Sequence, residues 1–125
     1  MNTTLTIALP GLPPKECSPN ARVHWAEKAK FVAAYRLSTY YYASVEKRRQ
    51  KWQAPTLTKV DVTFVVPDRR RRDKTNLAAS FKAGLDGIVD AGIIVDDSHE
   101  HCDDQYHVRY EKGVSQTIVE VKEVA

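Results

Sequence analysis

The stretch LTKVDVTFVVP, residues 57–67, predicts the strand around which the fold is organised. Apolar side chains recur in it at every second position, and they alternate with a second set of residues. The apolar set is Val60, Val62, Phe64 and Val66, and the set between them is Asp61, Thr63 and Val65. A period of two indicates a β-strand, because successive side chains of a strand point to opposite faces of a sheet. Pro67 ends the strand, and the polar residues after it are expected to form a loop.

The sequence on either side predicts two helices and three more strands. TTLTIALP (residues 3–10) alternates like a strand, GLPPKECSPN (11–20) has the composition of a loop, and residues 23–50 contain neither Gly nor Pro and fit one long helix. A second helix is expected from Thr75 to Ala91, closed by Gly92. QYHVRYEK (105–112) and SQTIVEVKEV (115–124) are expected to form a closing hairpin with a turn at Gly113. The order β-α-β-α-β-β predicts an α/β (α+β) fold, with one small domain over residues 1–125, a mixed sheet and two main helices.

Apolar residues at helical spacing predict the buried faces of the two helices. In the first helix they are Trp25, Ala29, Val32, Ala33 and Tyr40, with Arg36 inside the same stripe. Arg36 either extends along its own stem to water or points into a site, and the sequence leaves both open. In the second helix the apolar arc consists of Leu77, Phe81, Leu85 and Ile88, with Lys82 and Asp86 together on one flank.

Charge is distributed unevenly along the chain. Residues 1–60 carry ten Lys/Arg and three Asp/Glu (+7), residues 61–125 carry nine and thirteen (−4), and the sum is +3. This division favours a polyanionic partner next to a site for something cationic, although a soluble domain with a chance asymmetry has the same signature. The two cysteines make no disulfide framework, no signal peptide is recognisable, and no apolar run approaches the roughly 18 residues of a membrane span. We therefore expect a cytoplasmic protein with reduced thiols and no membrane partner.

The strongest positive and negative runs are PDRRRRDKTN (67–76) and DDSHEHCDD (96–104). Tandem arginines match phosphate oxygens, although they also suit a solvated loop. Asp96 and Asp97 repel each other unless a cation lies nearby, and such hard oxygen ligands suit Mg²⁺ or Mn²⁺; the alternative is an acidic surface turn. Asp73 has a structural alternative as the N-cap of the next helix. His99 and His101 lack the second ligand pair of a zinc site, so surface histidines with at most a supporting role are expected.

Together the two runs contain the ingredients of metal-assisted phosphodiester hydrolysis. Arginines position the DNA backbone, carboxylates hold a divalent ion that activates water, and a lysine neutralises charge that develops at the phosphate. Positive and negative groups are both needed, so their closeness in the sequence indicates one shared site.

PDRRRRDKTNL, followed by FKAGLDGIVDAGIIVDDS (81–98), resembles the RusA Holliday junction resolvases, a family common in phages and prophages. The likeness is strong over residues 64–98 and moderate over 5–36, where SPNARVHW (18–25) is similar to the family's opening. It is weak in the last two strands. The resemblance implies a small homodimeric endodeoxyribonuclease that uses Mg²⁺, with Mn²⁺ as an alternative, and no small-molecule cofactor. It also implies that the protein binds branched DNA and nicks four-way junctions in recombination and repair.

The resemblance also assigns roles to individual residues. It implies catalytic roles for Asp73, Asp96, Asp97 and Lys82, and metal binding by the three aspartates. Lys82 aligns from the downstream side, since the stretch between Asp73 and Lys82 is a few residues longer than in the family's best-known form. The DNA contacts that it implies are Arg69, Arg70, Arg71, Arg72, Asn76, Asn20, Arg22 and His24. The roles of Arg36 and His99 stay open.

One position departs from the family pattern. Where Asp-x-Asp-Asn is expected the chain reads Asp73-Lys74-Thr75-Asn76, so Thr75 replaces a metal-binding carboxylate with a hydroxyl that brings no charge. Either another acid such as Asp96 compensates, or the protein is a non-catalytic or weakly active branched-DNA-binding protein on the same fold. The dimer surface is equally open: TYYYA (39–43) is a candidate, unless its tyrosines pack on the sheet.

Overall fold

The fold is built around a four-stranded sheet in the computed structural model, which describes residues 3–124. The strands are β1 (Thr4–Pro10), β2 (Thr58–Val66), β3 (Cys102–Tyr110) and β4 (Gln116–Glu123). The helices are α1 (Trp25–Gln50), α2 (Lys74–Ser80) and α3 (Lys82–Asp90), and a single 3₁₀ turn spans Lys15–Cys17. The sheet order is β1-β4-β2-β3, with β2 and β3 parallel and the other pairs antiparallel. The predicted α+β class with a mixed sheet is therefore confirmed.

The predicted closing hairpin is wrong, because β3 and β4 lie on opposite sides of β2. Thr58 pairs with Cys102, so β3 starts beside the start of β2 and runs parallel to it. The chain then crosses the end of β2, where the amides of Glu111 and Gly113 donate to the carbonyl oxygens of Val66 and Pro67, both at 3.0 Å. The physical reason is composition: β4 alternates apolar residues and suits an interior position, whereas the polar and mostly exposed β3 suits an edge.

The second predicted helix is interrupted at Phe81. The backbone of Phe81 closes α2 and opens α3, and its amide donates to the carbonyl oxygens of Leu77 and Ala78 at 3.1 Å. Its fully buried ring packs edge-on against Phe64 and Tyr35, each with centroids 6.2 Å apart. Gly92, with φ +76°, ends the segment as expected. The predicted apolar arc is confirmed, since Phe81, Leu85 and Ile88 are buried and Leu77 packs against the same core.

The predicted buried face of α1 is wrong. Trp25 is 75% exposed, Ala29 and Ala33 are also exposed, and the residues that α1 buries are Thr39 and Ala43. These small side chains let α1 approach α3 closely at Gly87, where a Cβ atom would lie 3.1 Å from the Cβ of Thr39. Close packing of backbones at a glycine, rather than an aliphatic stripe, thus decides which side of α1 faces the protein. No helix within residues 3–124 is long and apolar enough to cross a membrane.

One hydrophobic core joins the helices to one face of the sheet. It draws on all four strands and on α1 and α3, through residues such as Leu5, Val62, Cys102, Val119 and Ile88. The other face of the sheet is polar, with Lys59, Asp61 and Glu120 among its residues. Because α2 begins just after the end of β2, the arginine run and the first residues of α2 lie together at one end of the molecule.

Candidate functional site

The arginine run forms a loop whose shape is set by its last member. Arg72 has a side chain that is only 11% exposed, and its Nη1 donates to the carboxylate of Asp68 at 2.8 Å and to the carbonyl oxygens of Asp68 and Arg70 at 3.2 Å. Hydrogen bonding from Arg72 lowers the pKa of Asp68 below its usual range. Arg72 is therefore used to hold the loop, whereas Arg70 and Arg71 are exposed and open to a ligand.

Arg69 leaves the loop in a different direction. Its guanidinium carbon lies 4.5 Å from the centroid of the Tyr110 ring at the end of β3, a cation–π contact. Of the four arginines that the resemblance assigned to DNA, Arg70 and Arg71 are thus the two that the loop presents most freely.

Asp73 caps α2, as its structural alternative predicted. One carboxylate oxygen, Oδ1, accepts hydrogen bonds from the amides of Thr75 at 2.9 Å and Asn76 at 3.3 Å. The side-chain oxygen of Asn76 accepts from the hydroxyl of Ser18 at 2.8 Å, which ties the N-terminal loop to α2. Ser18 was not singled out in the sequence, because only the fold brings residues 18 and 76 together.

A surface cavity of about 730 Å³ joins the N-terminal loop to the arginine loop. Among the residues that line it are six of the predicted DNA-contacting set together with Asp73, namely Asn20, Arg22, Arg70, Arg71, Arg72 and Asn76. His24 is not among them; its Nδ1 accepts from the amide of Ala26 at 3.2 Å and caps α1. The cavity thus has one wall from residues 18–25, where the resemblance is moderate, and another from residues 67–76, where it is strong.

Lys82 and Asp97 contact each other directly. The Nζ of Lys82 donates to Oδ2 of Asp97 and, at 2.7 Å, to Oδ1 of Asp86 one turn along α3. Partial burial acts to lower the pKa of Lys82, but hydrogen bonds to the two aspartates outweigh it and raise that pKa. The same contact lowers the pKa of Asp97, so both groups are charged at neutral pH.

Asp96 contacts the backbone of Asp97 rather than the side chain of Lys82. It is exposed, and its Oδ1 accepts a hydrogen bond from the amide of Asp97 at 2.8 Å. Across residues 3–124 no three His, Cys, Asp or Glu side chains form a group that could hold a metal ion. The expected set of Asp73, Asp96 and Asp97 therefore does not make a metal site by itself in this structure.

Thr75 lines a cavity together with Asp104, an acid that the sequence did not single out. A second cavity, of about 440 Å³, is lined by Thr75 at the start of α2 and by Asp104 and Tyr106 of β3. The hydroxyl of Tyr106 donates to Oδ2 of Asp104 at 2.7 Å, and its ring stacks on Phe64. Burial is the largest cause that raises the pKa of Tyr106, and the hydrogen bond to Asp104 and nearby carboxylates raise it further. The proton of Tyr106 therefore stays on the hydroxyl.

The two residues left open by the sequence lie outside these cavities. Arg36 makes two hydrogen bonds to the carboxylate of Asp90, at 2.6 and 2.9 Å, which link α1 to α3 at the surface. It therefore does not point into the site. His99 is exposed in the loop between α3 and β3, and its neighbour His101 contacts the carbonyl oxygen of Thr56 through Nδ1 at 3.0 Å.

Comparison with known sequences shows a relative of this chain. No family model matches the chain. An uncharacterized protein of Xylella fastidiosa (strain Temecula1 / ATCC 700964) is 37% identical over 122 residues, which cover 90% of this chain and 75% of that protein. Identity at this level over most of both chains shows common descent, and the chain belongs to the same family as the Xylella protein. The name of that relative states no activity.

Proposed function

We propose that this protein is a structure-specific endodeoxyribonuclease of the RusA type that nicks branched DNA, with the four-way junction as its substrate. The observation that carries the proposal is the contact of Lys82 with Asp97. These residues are 15 positions apart in the sequence, and the resemblance implies that both belong to one reaction centre. A lysine that stays protonated beside a carboxylate can neutralise charge on a phosphate in the transition state.

The cavity beside the arginine loop supports the DNA-binding part of the proposal. Arg70, Arg71 and Arg22 supply guanidinium groups for phosphate oxygens, and Asn20 and Asn76 supply amides that can bond to sugar or base edges. Phosphate contacts of this kind fix the register of a protein on DNA without reading sequence. Such a lining favours binding without sequence preference, and the choice of a branched substrate rests on the resemblance to the RusA family.

The metal part of the proposal rests on a small donor set. Mg²⁺ commonly keeps several waters and binds through one or two carboxylates together with substrate phosphates, and Mn²⁺ accepts the same oxygen ligands. Asp97, with Asp73 or Asp96 as a second ligand, would hold the ion. When bound, the ion would supply an activated water and stabilise negative charge. Lys82 would hold the carboxylate of Asp97 in position until the phosphate arrives.

Homodimerisation belongs to the same proposal. Resolution of a four-way junction needs two nicks related by a two-fold axis, and a C₂ dimer supplies two matching sites. Sedimentation equilibrium measures the molecular mass directly. A protein that stays monomeric at micromolar concentration, both with and without junction DNA, contradicts the proposed homodimer.

The nuclease proposal is tested with a synthetic four-way junction, a fork and a linear duplex, each with and without Mg²⁺. We expect Mg²⁺-dependent nicks in the junction, lost by at least 100-fold in Asp97→Asn while junction binding is retained. Asp90→Asn is the matched control, because it removes the same charge from a surface carboxylate that pairs with Arg36. Unchanged cleavage by Asp97→Asn, or equal losses in both variants, contradicts the site.

The second candidate is a branched-DNA-binding protein that does not cut. Thr75 favours it, since the family pattern places a carboxylate there. The discriminating variant is Thr75→Asp. If cleavage is absent in the natural protein and arises in Thr75→Asp, the non-catalytic reading is correct. If the natural protein already cleaves and Asp104→Asn removes cleavage, Asp104 supplies the missing charge from the other side of the cavity.

A further inference from the structure

The C-terminal half of α1 carries a second charged surface that the proposed nuclease site does not use. A groove of about 520 Å³ is lined by Tyr40, Tyr41, Ser44, Lys47, Arg48 and Trp52. The five helical members recur at spacings of one, four, seven and eight residues, so they share one side of the helix. Among residues 3–124, no Asp or Glu lines this groove. We define these six residues as the tyrosine–arginine groove.

The groove lies far from the arginine loop. The residues just before α1 line the large cavity with Arg70 and Asp73, whereas Tyr40 lies 15 residues into the helix, about 22 Å along its axis. Beyond α1 the chain leads to the start of β2, and the arginine loop follows the end of that strand. The two surfaces are therefore at opposite ends of the molecule.

The cations of the groove are available to a ligand. Within residues 3–124 neither Lys47 nor Arg48 makes an ion pair, and Arg48 is exposed. The one acid on this part of α1, Glu46, is occupied by Arg49 at 2.9 Å and by Gln50 at 3.0 Å. Two hydroxyl groups, of Tyr40 and Ser44, add donors beside these cations.

The aromatic residues of the groove are placed for stacking. Tyr41 is 59% exposed, and its ring meets that of Tyr40 at a centroid distance of 5.4 Å and an angle of 65°. Trp52 is buried and fixed, because its Nε1 donates to the carbonyl oxygen of Ile93 at 2.8 Å. An exposed ring on a rigid base next to cations is the arrangement that binds unstacked nucleobases and their phosphates.

We propose that the tyrosine–arginine groove binds single-stranded nucleic acid, with a base stacked on Tyr41 and its phosphate held by Arg48 and Lys47. A double helix would use the cations alone, since its bases are already stacked. A second copy of the chain fits less well, because a two-fold interface would bring the cationic patch of each protomer towards that of the other. This inference does not depend on the nuclease proposal, since it concerns binding at a separate surface.

The test is fluorescence anisotropy with a labelled oligo-dT of about ten nucleotides and a duplex of equal length, in a background that carries Arg70→Gln and Arg71→Gln. That background removes the two arginines that the arginine loop presents most freely. Variants of Tyr41 and Arg48 are compared within it, so failure of the nuclease proposal leaves this result readable. Tyr41→Leu should weaken binding of oligo-dT by about 5- to 100-fold, while Tyr41→Phe stays near the parent. Arg48→Gln should lower the slope of log K against log salt by about 0.7.

Arg49→Gln is the matched control for charge. It removes the same charge from the adjacent position, but Arg49 is paired with Glu46 and does not line the groove. Equal losses in Arg48→Gln and Arg49→Gln, or no loss in Tyr41→Leu, overturn the proposal in favour of unspecific attraction. A lower molecular mass for Tyr41→Leu with unchanged oligo-dT binding also overturns it, because the groove is then a contact between copies of the chain. Crosslinking of 5-iododeoxyuridine in oligo-dT to Tyr41, located by mass spectrometry, supports it.

Discussion

Replacing Lys82 by Met separates the structural role of this residue from its proposed chemical role. Lys82 makes two ion pairs, with Asp86 and Asp97, so its removal has a cost in stability. The side chain of Lys82 is nevertheless 60% exposed, and those of Asp86 and Asp97 are 30% and 29% exposed. Solvent screens such pairs, and each contributes about 0.2–1 kcal/mol. Because Met keeps most of the aliphatic stem, we expect Lys82→Met to lower the free energy of unfolding by about 1 kcal/mol in total.

A loss of this size cannot remove the folded protein. Domains of this length are stable by about 5–15 kcal/mol, so a loss of about 1 kcal/mol leaves well over 99% of the molecules folded. Loss of a group that stabilises transition-state charge lowers turnover by about 100- to 1,000-fold. The expected result is therefore near-native stability in urea unfolding together with junction cleavage reduced by at least 100-fold. Lys122→Met is the matched control, since Lys122 is exposed on β4 and makes no ion pair within residues 3–124.

The pH dependence of the same variant checks the ion pairs. The folded pKa of Asp97 is lowered, so its contribution is present above the ordinary value of 3.8 and is lost as pH falls through the lower folded value. The folded pKa of Lys82 is raised, so its contribution is present below 10.5 and is lost as pH rises through the higher folded value. The stability difference between the parent and Lys82→Met should be constant well inside this window and should shrink outside it.

Three results would refute the reasoning. Destabilisation beyond about 2 kcal/mol would mean that Lys82 is mainly structural, and then no loss of activity could be attributed to chemistry. Near-native stability with undiminished cleavage would remove Lys82 from the reaction centre, and with it the observation on which the proposed function depends. A difference in stability that does not change with pH would show that the ion pairs do not form in solution.

Three further predictions concern the core, the arginine loop and a thiol. Phe81→Ala should lower the free energy of unfolding by about 3–5 kcal/mol in urea titration, because it empties a fully buried ring site; a loss below about 1 kcal/mol would contradict the packing. Arg71→Gln should weaken duplex binding and reduce the slope of log K against log salt by about 0.9, without loss of stability. Arg72→Gln should also lower the melting temperature, because Arg72 is paired with Asp68 and holds the loop. Identical behaviour of the two variants would refute their different roles. Burial raises the pKa of Cys102 from 9.0 to about 11, so in the folded protein at pH 8 its reaction with a disulfide reagent should be about 100-fold slower than after denaturation; equal rates would contradict its burial.

Local periodicity predicted the elements well, because each depends mainly on its own residues. The bounds of β1, α1 and β2 differ from the predicted ones by one or two residues, and the order of the elements agrees. The orientation of α1 could not be read from periodicity, since its apolar residues are spread around the helix. What fixes it is the approach of Thr39 to Gly87, a contact between segments that are 48 residues apart.

The wrong pairing predicted for β3 and the failure to select Asp104 have the same cause. With β3 expected to begin at Gln105 and pair with β4, Asp103 and Asp104 belong to an acidic turn with no neighbour in the fold. In the structure β3 begins at Cys102 and pairs with β2 in parallel, which brings Asp104 to the cavity beside Thr75. The carboxylate that the RusA pattern has at the position of Thr75 is absent from α2, yet Asp104 of β3 lines the same cavity as Thr75. Local sequence can show that a charge is missing from its usual place, but only strand pairing shows which other charged residue lines the same cavity.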